Sequence, residues 1–215
     1  MSGIMLNVVG GTFAAPVPVV GSAYGGGYFA GQISTAGNGI ADYNLVVGPK
    51  SSADGAGLEY KIVRTGGDPT SVIDGPTNSS TMNSATYPAA QFCEAVNVGG
   101  FTDWYMPAKN ELEILYYNLK PNTSNNDTIS GINPNAVPAR ASYYTDSPNV
   151  PTQTTATDFQ SPSGTEFLLT QRYWSSTQNT NPALAYVQVF SSGNQNQGVY
   201  KNTPYRVRAV RRVAV

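Results

Sequence analysis

The stretch GGFTDWYMPAKNELEILYYNL, residues 99–119, decides the fold. Pro107 suits the opening of a helix because the first turn needs no N–H from it. Leu112, Leu115, Tyr116 and Leu119 then recur at helical spacing and form one apolar stripe. Glu111 and Glu113 stand two positions apart and so point to different faces. They are expected on the solvated outer side of the helix rather than as an acid–base pair.

Just upstream, PAAQFCEAVNVGG (residues 88–100) reads as a second helix. Ala89, Phe92, Cys93 and Val96 supply its stripe, Pro88 its first turn, and Gly99 or Gly100 its stop. Short β-rich runs flank this helical pair. YFAGQI, YNLVVG and LEYKIV precede it, separated by Gly, Asn, Asp and Pro, and the GGG at 25–27 reads as a turn. YWSST, AYVQVF, GVYK and YRVRAVRRVAV follow it. The order β, two helices, β predicts an α+β fold with the helices packed on a mostly antiparallel sheet.

Composition narrows the chemistry. The 215 residues suffice for a sizeable core, yet only 12% are charged, about half the usual share. Solubility must rest on Asn, Thr, Ser, Gln and Gly, a balance typical of secreted or virion proteins. The absence of His removes every triad, imidazole base and His-metal site. The single Cys93 removes intrachain disulfides and cysteine zinc sites, and is expected as a core thiol.

Charge is unevenly placed. Residues 1–166 carry all 13 acids against six bases, and residues 167–215 carry Arg172, Lys201, Arg206, Arg208, Arg211 and Arg212 with no acid. A basic end can signal nucleic acid. Here the arginines alternate with Val207, Ala209 and Val210, as on a strand lying beside the acidic N-terminal part, and no nucleic-acid partner is expected. The opening MSGIMLNVVGGTFAAPVPVVGSA lacks a basic region and is broken by Gly and Pro, so neither a signal peptide nor membrane insertion is expected. Residues 121–165 form a long polar stretch without periodicity, either functional or laid over the surface. Its NTSNNDTISG offers oxygen ligands that make calcium possible, though without a defined ligand spacing. No other cofactor is expected.

Asp103, Trp104, Pro107, Glu111 and Leu112, then Tyr173–Thr177, then Val207–Arg212, taken in order, resemble a known family. It is the C-type lectin-like domain of phage tail-fibre tips and of the C-terminal part of Lcl-type collagen-like adhesins. Its members include the variable proteins of diversity-generating retroelements. The resemblance covers residues 86–215. With the order of strands, two helices and strands and no clean linker before residue 120, one C-type lectin-like domain is expected over 1–215, with residues 1–85 as an N-terminal β-rich part and 86–215 holding the helices, the polar loop and a variable β region. Both tryptophans are expected in the core, where large rings fill the join between helices and sheet.

The resemblance further implies a non-enzymatic receptor-binding protein of a virion tail-fibre tip or cell surface. Its partner would be a host-cell surface protein or glycan. A homo-oligomer, with a trimer favoured, is expected. QNTNPAL (178–184) and SSGNQNQGVYKNTPY (191–205) fall where members diversify, and adenine-rich Asn codons suit retroelement mutagenesis. Asn, Ser and Tyr there combine adaptable hydrogen bonding with rigid aromatic area. The candidate ligand-binding residues are Asn179, Asn181, Val187, Val189, Ser191, Asn196, Gln197, Val199, Tyr200, Asn202, Thr203 and Tyr205. Along AYVQVF, hydropathy alone would bury the valines, whereas the family pattern puts Tyr186 and Phe190 inside and 187, 189 and 191 outside. The Glu-Pro-Asn calcium-and-sugar motif of animal lectins is missing. Cys93, in a helix stripe, does not support the chemistry of the related formylglycine-generating enzymes. The rival readings are a purely structural virion protein and a glycan hydrolase working with two carboxylates across one cleft.

Overall fold

A computed structural model describes residues 16–195 and 198–215. In chain order its strands are β1 (Ala23–Tyr24), β2 (Gly27–Ile33), β3 (Tyr43–Val47), β4 (Asp54–Leu58), β5 (Ala136–Val137), β6 (Thr145–Asp146) and β7 (Asn149–Val150). They continue with β8 (Arg172–Gln178), β9 (Leu184–Val189), β10 (Gly198–Tyr200), β11 (Tyr205–Arg208) and β12 (Val210–Ala214). The helices are α1 (Lys50–Ala53), α2 (Gly75–Thr81), α3 (Pro88–Glu94) and α4 (Lys109–Leu119). The fold is α+β, with α3 and α4 where the apolar stripes placed them. The short α1 and α2 were not expected, because four and seven residues are too few for a readable stripe.

One sheet runs β1-β2-β3-β12 with β5 added to β2, and a second runs β10-β9-β8-β11-β4. A separate hairpin joins β6 and β7. Among the described residues only β11 and β8 pair in parallel. Gly25 and Gly26, at φ +55° and +83°, make the two-residue turn between β1 and β2 that positive φ at both places allows. LEYKIV is not a strand beyond Leu58. Lys61 is instead drawn into a buried ion pair, and Ile62 and Val63 are left exposed.

Both sheets take strands from the two ends of the chain. β12 lies antiparallel to β3, and β11 lies antiparallel to β4 with Arg208 opposite Asp54. The basic run therefore meets the acidic part, as its alternation implied. Arg206 and Arg208 bind Asp54, Arg208 also binds Glu166, Arg211 binds Asp103, and Arg212 binds Glu111.

Strand β8 at the middle of the second sheet is buried on both faces. Trp174 and Val187 point into a core with Trp104, Met106 and α3. Their strand neighbours Tyr173 and Phe190 point the other way, against Leu112, Leu115 and Tyr116 of α4. Trp174 donates from Nε1 to the Leu58 carbonyl at 2.9 Å, and Trp104 donates to that of Phe101 at 3.1 Å. Both rings thus fill the core and satisfy their one donor.

The start of α4 is tied directly to the YWSST strand. Ala108 has no side chain to cap the helix. Thr177 of β8 accepts from the Lys109 N–H at 3.0 Å, and the Val72 carbonyl accepts from Asn110 N–H at 2.8 Å. Glu111 turns back to accept from Ala108 N–H at 2.8 Å.

Glu111 and Glu113 require a correction: both are 0% exposed rather than solvated. Glu111 also takes hydrogen bonds from Tyr105 (2.5 Å) and Arg212 (2.8 Å). Burial pushes its carboxyl above the usual range, against the pull of those partners. Glu113 is held by Arg140, Tyr144 and Asn133. All three partners of Glu113 belong to the long polar stretch, which covers the face of α4 that amphipathicity had assigned to water.

Candidate ligand-binding site

Strands β8 to β11 carry two neighbouring hollows. One, of about 400 Å³, is lined by Asn181, Leu184, Val199, Tyr200, Thr203 and Tyr205. The other, of about 380 Å³, is lined by Gln171, Arg172, Val189, Ser191 and Tyr205, among others. Tyr205 borders both. Its ring stands edge-on to Trp174 at 5.3 Å, so a core tryptophan fixes the tyrosine shared by the two hollows.

Seven of the twelve candidates therefore meet around one tyrosine: Asn181, Val189, Ser191, Val199, Tyr200, Thr203 and Tyr205. Asn179 and Asn202 play supporting parts. The Asn179 side-chain Oδ1 accepts from Asn181 N–H at 3.0 Å and shapes the β8–β9 turn. The Asn202 side-chain Oδ1 accepts from Arg64 Nε at 2.7 Å. Asn196 and Gln197 lie outside the described residues. Val187 is corrected: it is 1% exposed and packs in the Trp174 core, so it does not face a ligand. Val187 and Phe190, on opposite sides of β9, are both internal, whereas Tyr186 and Val189 are only partly buried, so hydropathy and family pattern were each right about one residue of the pair they buried.

Sequence reasoning missed Arg64. Its guanidinium lies 3.9 Å from the centre of the Tyr200 ring, which remains 50% exposed. Nothing in LEYKIV marked it, since its position depends on an irregular loop being pinned more than a hundred residues away in sequence. The pin is Asp68, which takes ion pairs from Lys61 (2.7 Å) and Lys201 and a hydrogen bond from Tyr87 (2.8 Å). Lys201 also donates to Gln178 at 2.7 Å and to the Thr65 carbonyl at 3.0 Å. Burial alone would raise the Asp68 carboxyl, but the bonds from Lys201 and Lys61 outweigh it and hold the carboxyl below its usual range. Burial likewise pushes the Lys201 ammonium down, against the attraction of Asp68. This clasp fastens the loop bearing Arg64 to Lys201, the first residue of the β10–β11 turn, directly after Tyr200 at the end of β10.

Neither hollow has an Asp or Glu in its lining, so a carboxylate pair facing across either one is missing. Among the described residues no group of three or more His, Cys, Asp or Glu could hold a metal. In NTSNNDTISG, Asn126 is occupied by Tyr116 and Lys120, and Asp127 by Ile129 N–H and Asn194. Cys93 is fully buried, and burial pushes its thiol up. No helix of the described residues is long and apolar enough to cross a membrane.

A family model described as Lcl C-terminal domain matches residues 68–211. It begins at the acid of the clasp, upstream of residue 86 where the motif resemblance set in. No curated protein matches the chain.

Proposed function

The chain belongs to the Lcl C-terminal domain family, and from that premise we propose that it is a non-enzymatic receptor-binding module with a C-type lectin-like fold. The paired hollows sharing Tyr205 carry this reading. They gather hydroxyls, amides and two partly exposed tyrosines on a scaffold fixed from below by Trp174 and from the side by the Asp68 clasp. A preorganised surface of this kind loses little conformational freedom on binding.

We place the module on an exposed surface, a cell-surface adhesin or the tip of a viral tail fibre, with a host-cell protein or glycan as its partner. Diversification by a retroelement would act on the segment encoding residues 173–213. An imperfect adenine-rich copy of that segment beside a reverse-transcriptase gene is the genomic observation that bears on it. Assembly as a homo-oligomer, a trimer for preference, would let weak single contacts act together. Light scattering that returns only the 22.7 kDa monomer at high concentration would remove that part.

The binding reading is tested by pairing affinity with stability. Tyr200→Ala is expected to weaken attachment to host cells or arrayed surface proteins by ~2 kcal/mol or more, as for an aromatic anchor. Its stability should change by no more than about 0.5 kcal/mol, because the ring is half exposed. Trp174→Ala should cost about 3–5 kcal/mol of stability. Attachment that survives Tyr200→Ala and Tyr205→Phe unchanged would move the site elsewhere.

A further inference from the structure

We propose a second binding site, for a neutral saccharide, in the cleft between α4 and the long polar stretch. It shares no lining residue with the hollows around Tyr205. Two depressions, of about 400 and 170 Å³, lie on either side of Tyr117 and Val150, which line both.

The walls are built rather than loose. The Lys120 ammonium is fully buried and donates to Ser124 O (2.6 Å), Asn126 Oδ1 (2.7 Å), Asn149 Oδ1 (3.1 Å) and Pro151 O (3.1 Å). One cation thus gathers four points of the stretch onto the end of the helix. Thr154 N–H donates to the Lys120 carbonyl at 3.0 Å and fixes the next segment. A cleft held open in this way needs little reorganisation to accept a ligand.

Its chemistry selects the ligand class. Tyr117 and Tyr143, the latter 55% exposed, supply aromatic surface for the C–H face of a sugar ring. Asn118 and Gln153 each spend the amide nitrogen on a backbone carbonyl, Ala30 O at 2.7 Å and Pro121 O at 2.8 Å. That fixes each amide and leaves its oxygen as the acceptor for a ligand hydroxyl. Thr152 and Thr155 add exposed hydroxyls that both donate and accept. The only charge in the lining is Arg140, which is paired with Glu113 and stacked on Tyr117 at 4.1 Å. With that charge matched and the Lys120 ammonium fully buried behind its four neutral acceptors, neither cation is presented to an anionic sugar, and an uncharged one loses nothing.

The test uses the full chain with maltose, lactose, cellotetraose and chitotetraose as neutral probes, and sialyllactose and a heparin tetrasaccharide as charged ones. Saturation-transfer NMR should show transfer to at least one neutral probe and none to the charged pair. Tyr143→Ala and Thr155→Glu, both at exposed positions, should each weaken that binding by about tenfold or more at unchanged melting temperature. Tyr200→Ala should leave it as it was, which separates this site from the one around Tyr205. No transfer to any neutral probe, transfer that survives both cleft variants, or transfer lost in Tyr200→Ala would each overturn the proposal.

Discussion

Asp68 shows how one side chain can set the geometry of a surface it does not reach. It pairs with both Lys61 and Lys201, and through them it holds the loop of Arg64 beside Tyr200. Its folded-state pKa lies below that of a free aspartate, so it contributes stability above about pH 4 that is lost as pH falls through the folded value. Asp68→Asn is therefore expected to be less stable than the natural protein at neutral pH, with two lysines left unmatched. The gap should narrow steadily below pH ~4. Urea midpoints measured across that range check this, and a gap constant with pH would mean that the carboxylate is not what binds the clasp. None of this was legible in the sequence. Lys61, Asp68 and Lys201 stand in three segments without a shared pattern, and only the folded chain brings them together.

At the scale of elements, periodicity was a good guide to which segments become helices and a poor one to what surrounds them. The stripe of Leu112, Leu115, Tyr116 and Leu119 is buried as its spacing required. The opposite face is buried too, because a stretch with no periodicity of its own folds over it and brings Asn133, Arg140 and Tyr144 to Glu113. An aperiodic covering leaves no trace in the helix it covers. The capping of α4 by Thr177 is a relation of the same kind. Thr177→Val keeps the shape but removes the acceptor for Lys109 N–H and the donor to Ser71 O. It should cost about 1–2 kcal/mol in chemical denaturation, with Thr177→Ser recovering most of the loss.

For the molecule as a whole, the pairing of the late arginines with early acids was legible, because alternating Arg and Val on a strand demands buried acidic neighbours. Each of β3 and β4 has one of the last two strands beside it. The expectation of a single domain over 1–215 then makes a direct prediction. A fragment starting at residue 86 lacks β2, β3 and β4 and leaves Arg206, Arg208 and much of the Trp174 core uncovered. It should show neither a cooperative melt nor dispersed amide resonances. A well-folded fragment would show that the early strands are dispensable.

The distance along the chain between Asp54 and its partners also sets a clock. Arg206 and Arg208 follow it by 152 and 154 positions. At a synthesis rate of about 5–20 residues per second, Asp54 leaves the ribosome ~8–30 s before either arginine exists. Throughout that interval β4 has no β11 beside it and β3 no β12, so neither sheet can close on the growing chain. Closure of both sheets therefore has to arrive late and together, once the last two strands have been made.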